Sequence, residues 1–105
     1  MGTSTEGRNI NVLKLGVGSK KIILHGGTHA REWISPITIV NTAKTLVEKY
    51  RQSGADAKFL NDITWYLIIN VNPDGYVYTS TTDRLWRKTR NTETPGHRES
   101  TLSTL

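Results

Sequence analysis

Two histidines, an arginine and a glutamate fall within the stretch Leu24-His25-Gly26-Gly27-Thr28-His29-Ala30-Arg31-Glu32-Trp33. His29 and Glu32 are three positions apart, a spacing at which an imidazole nitrogen and a carboxylate oxygen can reach one metal ion. Zinc takes histidine nitrogen at about 2.0–2.1 Å and carboxylate oxygen at about 2.0–2.2 Å, so one short turn can supply both ligands. His-x-x-Glu alone is a common surface pattern, and it is the setting that makes this pair a candidate site. An apolar run precedes it, a helical pattern follows it, and two glycines permit the close backbone approach or positive φ that a crowded site needs. Arg31 lies between the two ligand candidates, and Arg84, Arg87, Lys88 and Arg90 form a basic cluster further on. Guanidinium groups beside a metal suit a carboxylate or a developing oxyanion. The same cluster, with Trp86, also fits a solvated basic segment or a phosphate contact with a stacked base.

The elements that must position these groups follow from periodicity. Residues 1–8 read as a loop, and Ile10, Val12, Leu13 and Leu15 as a first strand broken at Gly16-Val17-Gly18-Ser19. Ile22-Ile23-Leu24 is a continuous apolar run that fits a strand buried on both faces, and a hairpin with the first strand is the simplest pairing. From Glu32 to about Arg51 the period lengthens: Ile34, Ile37, Val40, Ala43, Leu46 and Tyr50 predict one apolar stripe on a helix. Pro36 suits its first turn, and Gly54 the position after its end. Ala55–Asn61 reads as a short helical turn with Phe59 and Leu60 inward, and Ile63–Val71 as a second strand rich in β-branched and aromatic residues. Strand, helix and strand make a βαβ unit with a parallel pair. Asn72-Pro73-Asp74-Gly75 is a turn signal with Asp74 as turn former, which puts it and the His29 turn beyond strand carboxyl ends, where α/β sheets form sites. Tyr76–Thr79 is compatible with a strand or a short helix. Asn91–Leu105 has no apolar period and predicts a disordered tail.

Composition sets outer limits. The 105 residues allow one domain with a modest core, and 35% hydrophobic content reflects polar ends around clustered apolar runs. A net charge of +5 permits acidic partners, but the basic residues are scattered outside residues 84–90, which weakens a nucleic-acid reading. With no cysteine, any metal must be held by His, Asp or Glu. No apolar run approaches the ~20 residues that span a bilayer, and the N-terminus lacks the features of a signal peptide. His25 reads as a buried or supporting histidine, His97 as a tail residue, and Trp33, Trp65 and Trp86 as core or wall residues.

Glu6-Gly7-Arg8-Asn9-Ile10, Gly27-Thr28-His29-Ala30-Arg31-Glu32-Trp33-Ile34, Asn72-Pro73-Asp74-Gly75-Tyr76 and Arg84-Leu85-Trp86-Arg87-Lys88-Thr89-Arg90 occur in that order. Together they resemble the zinc metallocarboxypeptidases of the carboxypeptidase A/B type. The resemblance runs from about Glu6 to Asn91, which makes residues 1–91 the partial catalytic domain and 92–105 a tail outside the pattern. It implies an α/β chain, part of a three-layer α/β/α exopeptidase fold with a mixed sheet, holding the first strands and first long helix. It implies one Zn²⁺ with His29 and Glu32 as two of its ligands, Arg90 as the catalytic arginine that stabilises the oxyanion, and Arg31 and Arg87 as substrate-binding arginines. Peptide or protein C-termini are the implied substrates, in a secreted setting, with neither nucleic acid nor membrane as partner. The family's second zinc histidine, carboxylate-gripping pair, substrate tyrosine and glutamate base have no match here. The expectation is an incomplete, inactive portion of a catalytic domain; the alternatives are a non-catalytic zinc- or peptide-binding remnant and a basic nucleic-acid contact module.

Overall fold

The computed structural model describes residues 2–54 and 57–91. Its elements are β1 (Gly2–Thr3), β2 (Asn9–Ile10), β3 (Val12–Leu15), β4 (Lys20–His25), α1 (Ile34–Ser53), α2 (Lys58–Asn61), β5 (Ile63–Ile68) and α3 (Pro73–Thr81). The predicted tail over 92–105, with His97, lies outside the described residues.

The chain is α/β with a mixed sheet in the order β3-β5-β4. β4 runs parallel to β5, with Lys20 opposite Ile63 and His25 opposite Ile68, so the βαβ unit is present. The expected hairpin between β3 and β4 is not. β5 lies between them and pairs antiparallel with β3, Val12 opposite Ile68 and Leu15 opposite Trp65. As the middle strand, β5 pairs along both of its edges, and it is also the most buried strand, with Thr64, Leu67 and Ile68 all buried.

The connection from β3 to β4 must therefore cross the start of β5, and its glycines make that crossing possible. Val17 donates its N–H to the Leu60 carbonyl at 2.9 Å, and Lys20 to that of Asp62 at 3.2 Å. A Cβ on Gly18 would lie 1.8 Å from the Asp62 carbonyl carbon, and one on Gly16 would lie 2.1 Å from the Ile63 carbonyl oxygen.

Pleating sends Leu15, Leu24, Trp65 and Leu67 to one face of the sheet, where they meet Ile39, Ala43 and Leu46 of α1 and Phe59. The buried stripe of α1 is Pro36, Ile39, Ala43 and Leu46. This corrects the predicted phase: Ile34, Ile37 and Val40 stand exposed on the flank of the helix, Ile34 at 70%. The helix carries two apolar rows at helical spacing, and contact with Leu67 selects the one through Ile39. β4 is not buried on both faces either. Alternation places Ile22 and Leu24 toward α1, while Ile23 is 68% exposed on the other face, beside Val12, Lys14, Tyr66 and Ile68. Among the described residues no helix is long and apolar enough to cross a membrane.

Gly18→Ala is expected to cost roughly 1–3 kcal/mol by overpacking against β5 backbone. Gly2→Ala, which meets nothing within 4 Å, should leave stability unchanged. Urea unfolding of the two variants compares them directly.

Candidate metal and substrate site

Beyond Leu24 the backbone continues the sheet before turning. Gly26 donates to the Ile68 carbonyl at 2.9 Å and accepts from Val71 N–H at 3.0 Å. Gly27 has φ +70°, and a Cβ there would lie 2.3 Å from the Asn70 side-chain oxygen. That conformation reverses the chain into a turn over the start of α1, closed by Glu32 N–H to the His29 carbonyl at 3.1 Å and Ser35 N–H to the Glu32 carbonyl at 3.1 Å. The Ser35 hydroxyl in turn accepts from Gly27 N–H at 3.1 Å.

The turn brings the two ligand candidates together. His29 Nδ1 lies 2.9 Å from Glu32 Oε1 and 3.0 Å from Oε2, so both carboxylate oxygens face one ring nitrogen. Two ligands on one tetrahedral zinc stand roughly 3.3 Å apart at the usual bond lengths, close to this spacing. Both side chains remain partly exposed, at 36% and 49%, and the nitrogen and oxygen donors suit zinc. The site residues therefore fit as part of a zinc ligand set, with metal and proton competing for Nδ1. Among the described residues no group of three or more His, Cys, Asp or Glu gathers to complete the set.

The basic segment is laced across this turn. The Arg87 carbonyl accepts from Ala30 N–H at 3.0 Å, and Arg87 Nη2 lies 3.4 Å from His29 Nδ1. Arg84 donates to the Arg31 carbonyl at 3.0 Å and sits 4.0 Å above the Trp33 ring. Arg31 donates to the Leu85 carbonyl at 3.4 Å and is exposed.

Arg90 is held elsewhere. Its guanidinium carbon lies 3.8 Å above the Tyr78 ring and 4.7 Å from the Trp86 ring centre. Its buried Nε faces Glu6 at 3.7 Å and makes no hydrogen bond. The arginine lying against His29 is Arg87, while the Arg90 side chain rests against Tyr78 and Trp86. His25 is also corrected, being exposed at the end of β4 with Nδ1 3.3 Å from the Thr28 hydroxyl. The three tryptophans are walls: Trp65 Nε1 donates to the Phe59 carbonyl, Trp33 Nε1 to Thr79, and Trp86 Nε1 to the Lys88 carbonyl.

Residues 72–75 do more than turn the chain. They open α3, with Asn72 as N-cap, its side-chain oxygen accepting from Gly75 N–H at 3.1 Å, and Pro73 in the first turn. Tyr76–Thr79 is accordingly helical. Asp74 is 3% exposed and is a buried charge with partners rather than a turn former. It accepts from the Ser4 hydroxyl at 2.6 Å, Glu6 N–H at 2.9 Å and Arg8 Nη1 at 2.7 Å. Burial pushes its carboxyl up, but the three hydrogen bonds and the Arg8 charge outweigh that and hold it below the usual value. Arg8, bonded to Glu6 and Asp74, is raised above its own. Sequence reading missed this network because its members lie about seventy residues apart; the Glu6–Arg8 block was the one available signal.

Residues 1–97 match the family described as zinc carboxypeptidase. The inactive metallocarboxypeptidase ECM14 of Uncinocarpus reesii is 46% identical over 100 residues, 86% of this chain and 17% of the relative. Carboxypeptidase B of Astacus astacus is 44% identical over 94 residues, 87% of this chain and 30% of the relative. Thrombin activatable fibrinolysis inhibitor superposes with a TM-score of 0.77 at 33% identity, over 86% of this chain and 23% of that one. Carboxypeptidase A from Helicoverpa armigera does so with a TM-score of 0.75 at 32% identity, over 90% and 24%. The family match and the superposed α/β sheet together define the class as a carboxypeptidase-like domain. The chain belongs to the zinc carboxypeptidase family, and spans less than a third of the length of these relatives.

Because Asp74 is depressed in the folded chain, its contribution is present above its unfolded pKa of about 3.9 and is lost as pH falls through the lower folded value. Asp74→Asn should destabilise the chain at neutral pH and show a flatter stability profile below about pH 4. Thermal melts from pH 7 to pH 2 check both.

Proposed function

We propose that this chain supplies the first part of a zinc carboxypeptidase site, in which His29 and Glu32 hold one Zn²⁺. The observation that carries this is the convergence of both Glu32 oxygens on His29 Nδ1, at 2.9 and 3.0 Å, with Arg87 3.4 Å from the same nitrogen. Zinc in such a site acts as a Lewis acid toward the scissile carbonyl and acidifies a water. The chain's own groups divide the remaining work. Arg90, the last arginine of the Arg84–Arg90 segment, is the residue for the developing oxyanion, a role in which an oriented donor supplies several kilocalories. Arg87, 3.4 Å from His29 Nδ1, binds substrate in the outer part of the same cleft. Exposed Arg31, tied to Leu85, binds substrate beyond the scissile residue. The proposed substrates are peptide and protein C-termini, in a secreted setting.

A catalytic zinc normally has three protein ligands. Residues 1–105 alone are therefore proposed to bind Zn²⁺ weakly and to leave peptides uncleaved. A second reading, a non-catalytic zinc- or peptide-binding protein, draws support from the description of the 46% identical relative as inactive.

Calorimetry with Zn²⁺ should show one weak site, and Glu32→Gln or His29→Ala should weaken it by more than the ~10–100-fold typical of losing an outer-shell partner. Equal zinc affinity in wild type and both variants would overturn the metal assignment. A blocked dipeptide should remain intact with the metal-loaded chain; turnover abolished by Glu32→Ala would overturn the proposed inactivity.

A further inference from the structure

We infer that Asn72 is the positioning residue that holds the His29–Glu32 turn and the Arg87 segment in register, a role that rests on the site reading above. Asn72 is 4% exposed and lies between the two. Its Nδ2 donates to the Thr28 carbonyl at 3.3 Å and to the Lys88 carbonyl at 3.0 Å. Each carbonyl is one residue from a site group, Thr28 from His29 and Lys88 from Arg87. Its Oδ1 accepts from Gly75 N–H at 3.1 Å. The orientation of the amide is thus dictated from both ends: a backbone donor must meet the oxygen, and two backbone acceptors must meet the nitrogen.

The surrounding space has been cleared for this bridge. A Cβ on Gly75 would lie 2.7 Å from Asn72 Nδ2, 2.7 Å from the Lys88 carbonyl oxygen and 2.8 Å from Ala30 Cβ. The Lys88 carbonyl also accepts from Trp86 Nε1 at 2.7 Å. Directly across the junction, Ala30 N–H donates to the Arg87 carbonyl at 3.0 Å. Asn72 itself is fixed by its own N–H to the Asn70 side chain at 2.9 Å and by Tyr76 N–H to its carbonyl at 3.0 Å. Losing the two Nδ2 bonds takes a donor from each carbonyl, leaving that of Lys88 with Trp86 Nε1 alone, and frees the 86–90 segment to drift from His29. Asn72 touches neither metal nor substrate; it acts through Thr28 and Lys88.

The N-cap and the bridge are separable by chemistry. Asn72→Ser keeps an oxygen that can cap α3 but removes both donors. Asn72→Asp keeps size and cap, and turns a carboxylate toward the two carbonyls. Amide hydrogen exchange and Zn²⁺ calorimetry on the full chain read the two roles apart. Both variants should leave the Gly75, Tyr76 and Thr82 amides protected as in wild type, while the Ala30 amide exchanges about tenfold faster or more. Zinc affinity should fall roughly 10–100-fold, as for an outer-shell partner. Unchanged Ala30 protection in either folded variant overturns the inference. So does a uniform loss of protection that includes α3 in both, since Asn72 would then support the whole fold rather than this junction. If the wild-type chain binds no zinc, the metal reading fails, and the Ala30 amide still decides the role of Asn72.

Discussion

Three backbone segments approach one another over a residue that has no side chain. Gly75, in the first turn of α3, faces the Lys88 carbonyl and Ala30 at distances that a methyl group would reduce below contact. Asn72 lies in this junction and donates to the carbonyls of Thr28 and Lys88. The arrangement of the site depends on this crossing, because His29 and Arg87 lie on different segments with no covalent reason to meet. Packing density and polar satisfaction act together here. A larger residue at 75 would separate the segments, and an apolar one at 72 would remove the side-chain bridge between them.

The same four-residue block carries a charge network on its other side. Asp74 sits in the first turn of α3, where the helix dipole favours a negative group, and gathers Ser4, the Glu6 backbone and Arg8. The N-terminal arm, a two-stranded pairing of Gly2–Thr3 with Asn9–Ile10, is thereby fastened to the helix by polar contacts. Glu6 extends the network toward Arg90, whose guanidinium lies against Tyr78 and Trp86. A planar cation between two rings suits arginine more than lysine. The segment that carries Arg87 is consequently held from two sides, by Asn72 and Trp86 at Lys88 and by aromatic and acidic neighbours at Arg90.

Within the zinc carboxypeptidase family, this geometry separates two arginines that are three residues apart and look alike in sequence. Arg87 points to the His29 nitrogen, and Arg90 points into the framework. The distinction comes from which ring systems and carboxylates lie within reach of each side chain. Similarly, His29 and His25 are four residues apart, yet only His29 shares its ring nitrogen with a carboxylate.

Much of the fold was legible because local rules and tertiary demands agree. Glycine at 54 ends α1, β-branched and aromatic residues make β5, and the spacing of His29 and Glu32 puts both groups on one turn. The ligand pair and the turn signal at 72–75 were readable for the same reason: each depends on neighbours a few residues away. Tertiary contacts settled the rest. α1 carries two apolar rows of similar strength, and only docking against Leu67 chose Ile39 over Ile37. The expected hairpin gave way to β5, which pairs with both strands across roughly forty to fifty residues of sequence. The buried charge of Asp74, the bridge through Asn72 and the different neighbours of Arg87 and Arg90 share that origin. Sequence determined which groups could do chemistry and which local turn holds the proposed metal ligands. Long-range hydrogen bonding and close packing decided which arginine faces them, because neither leaves a trace in local periodicity.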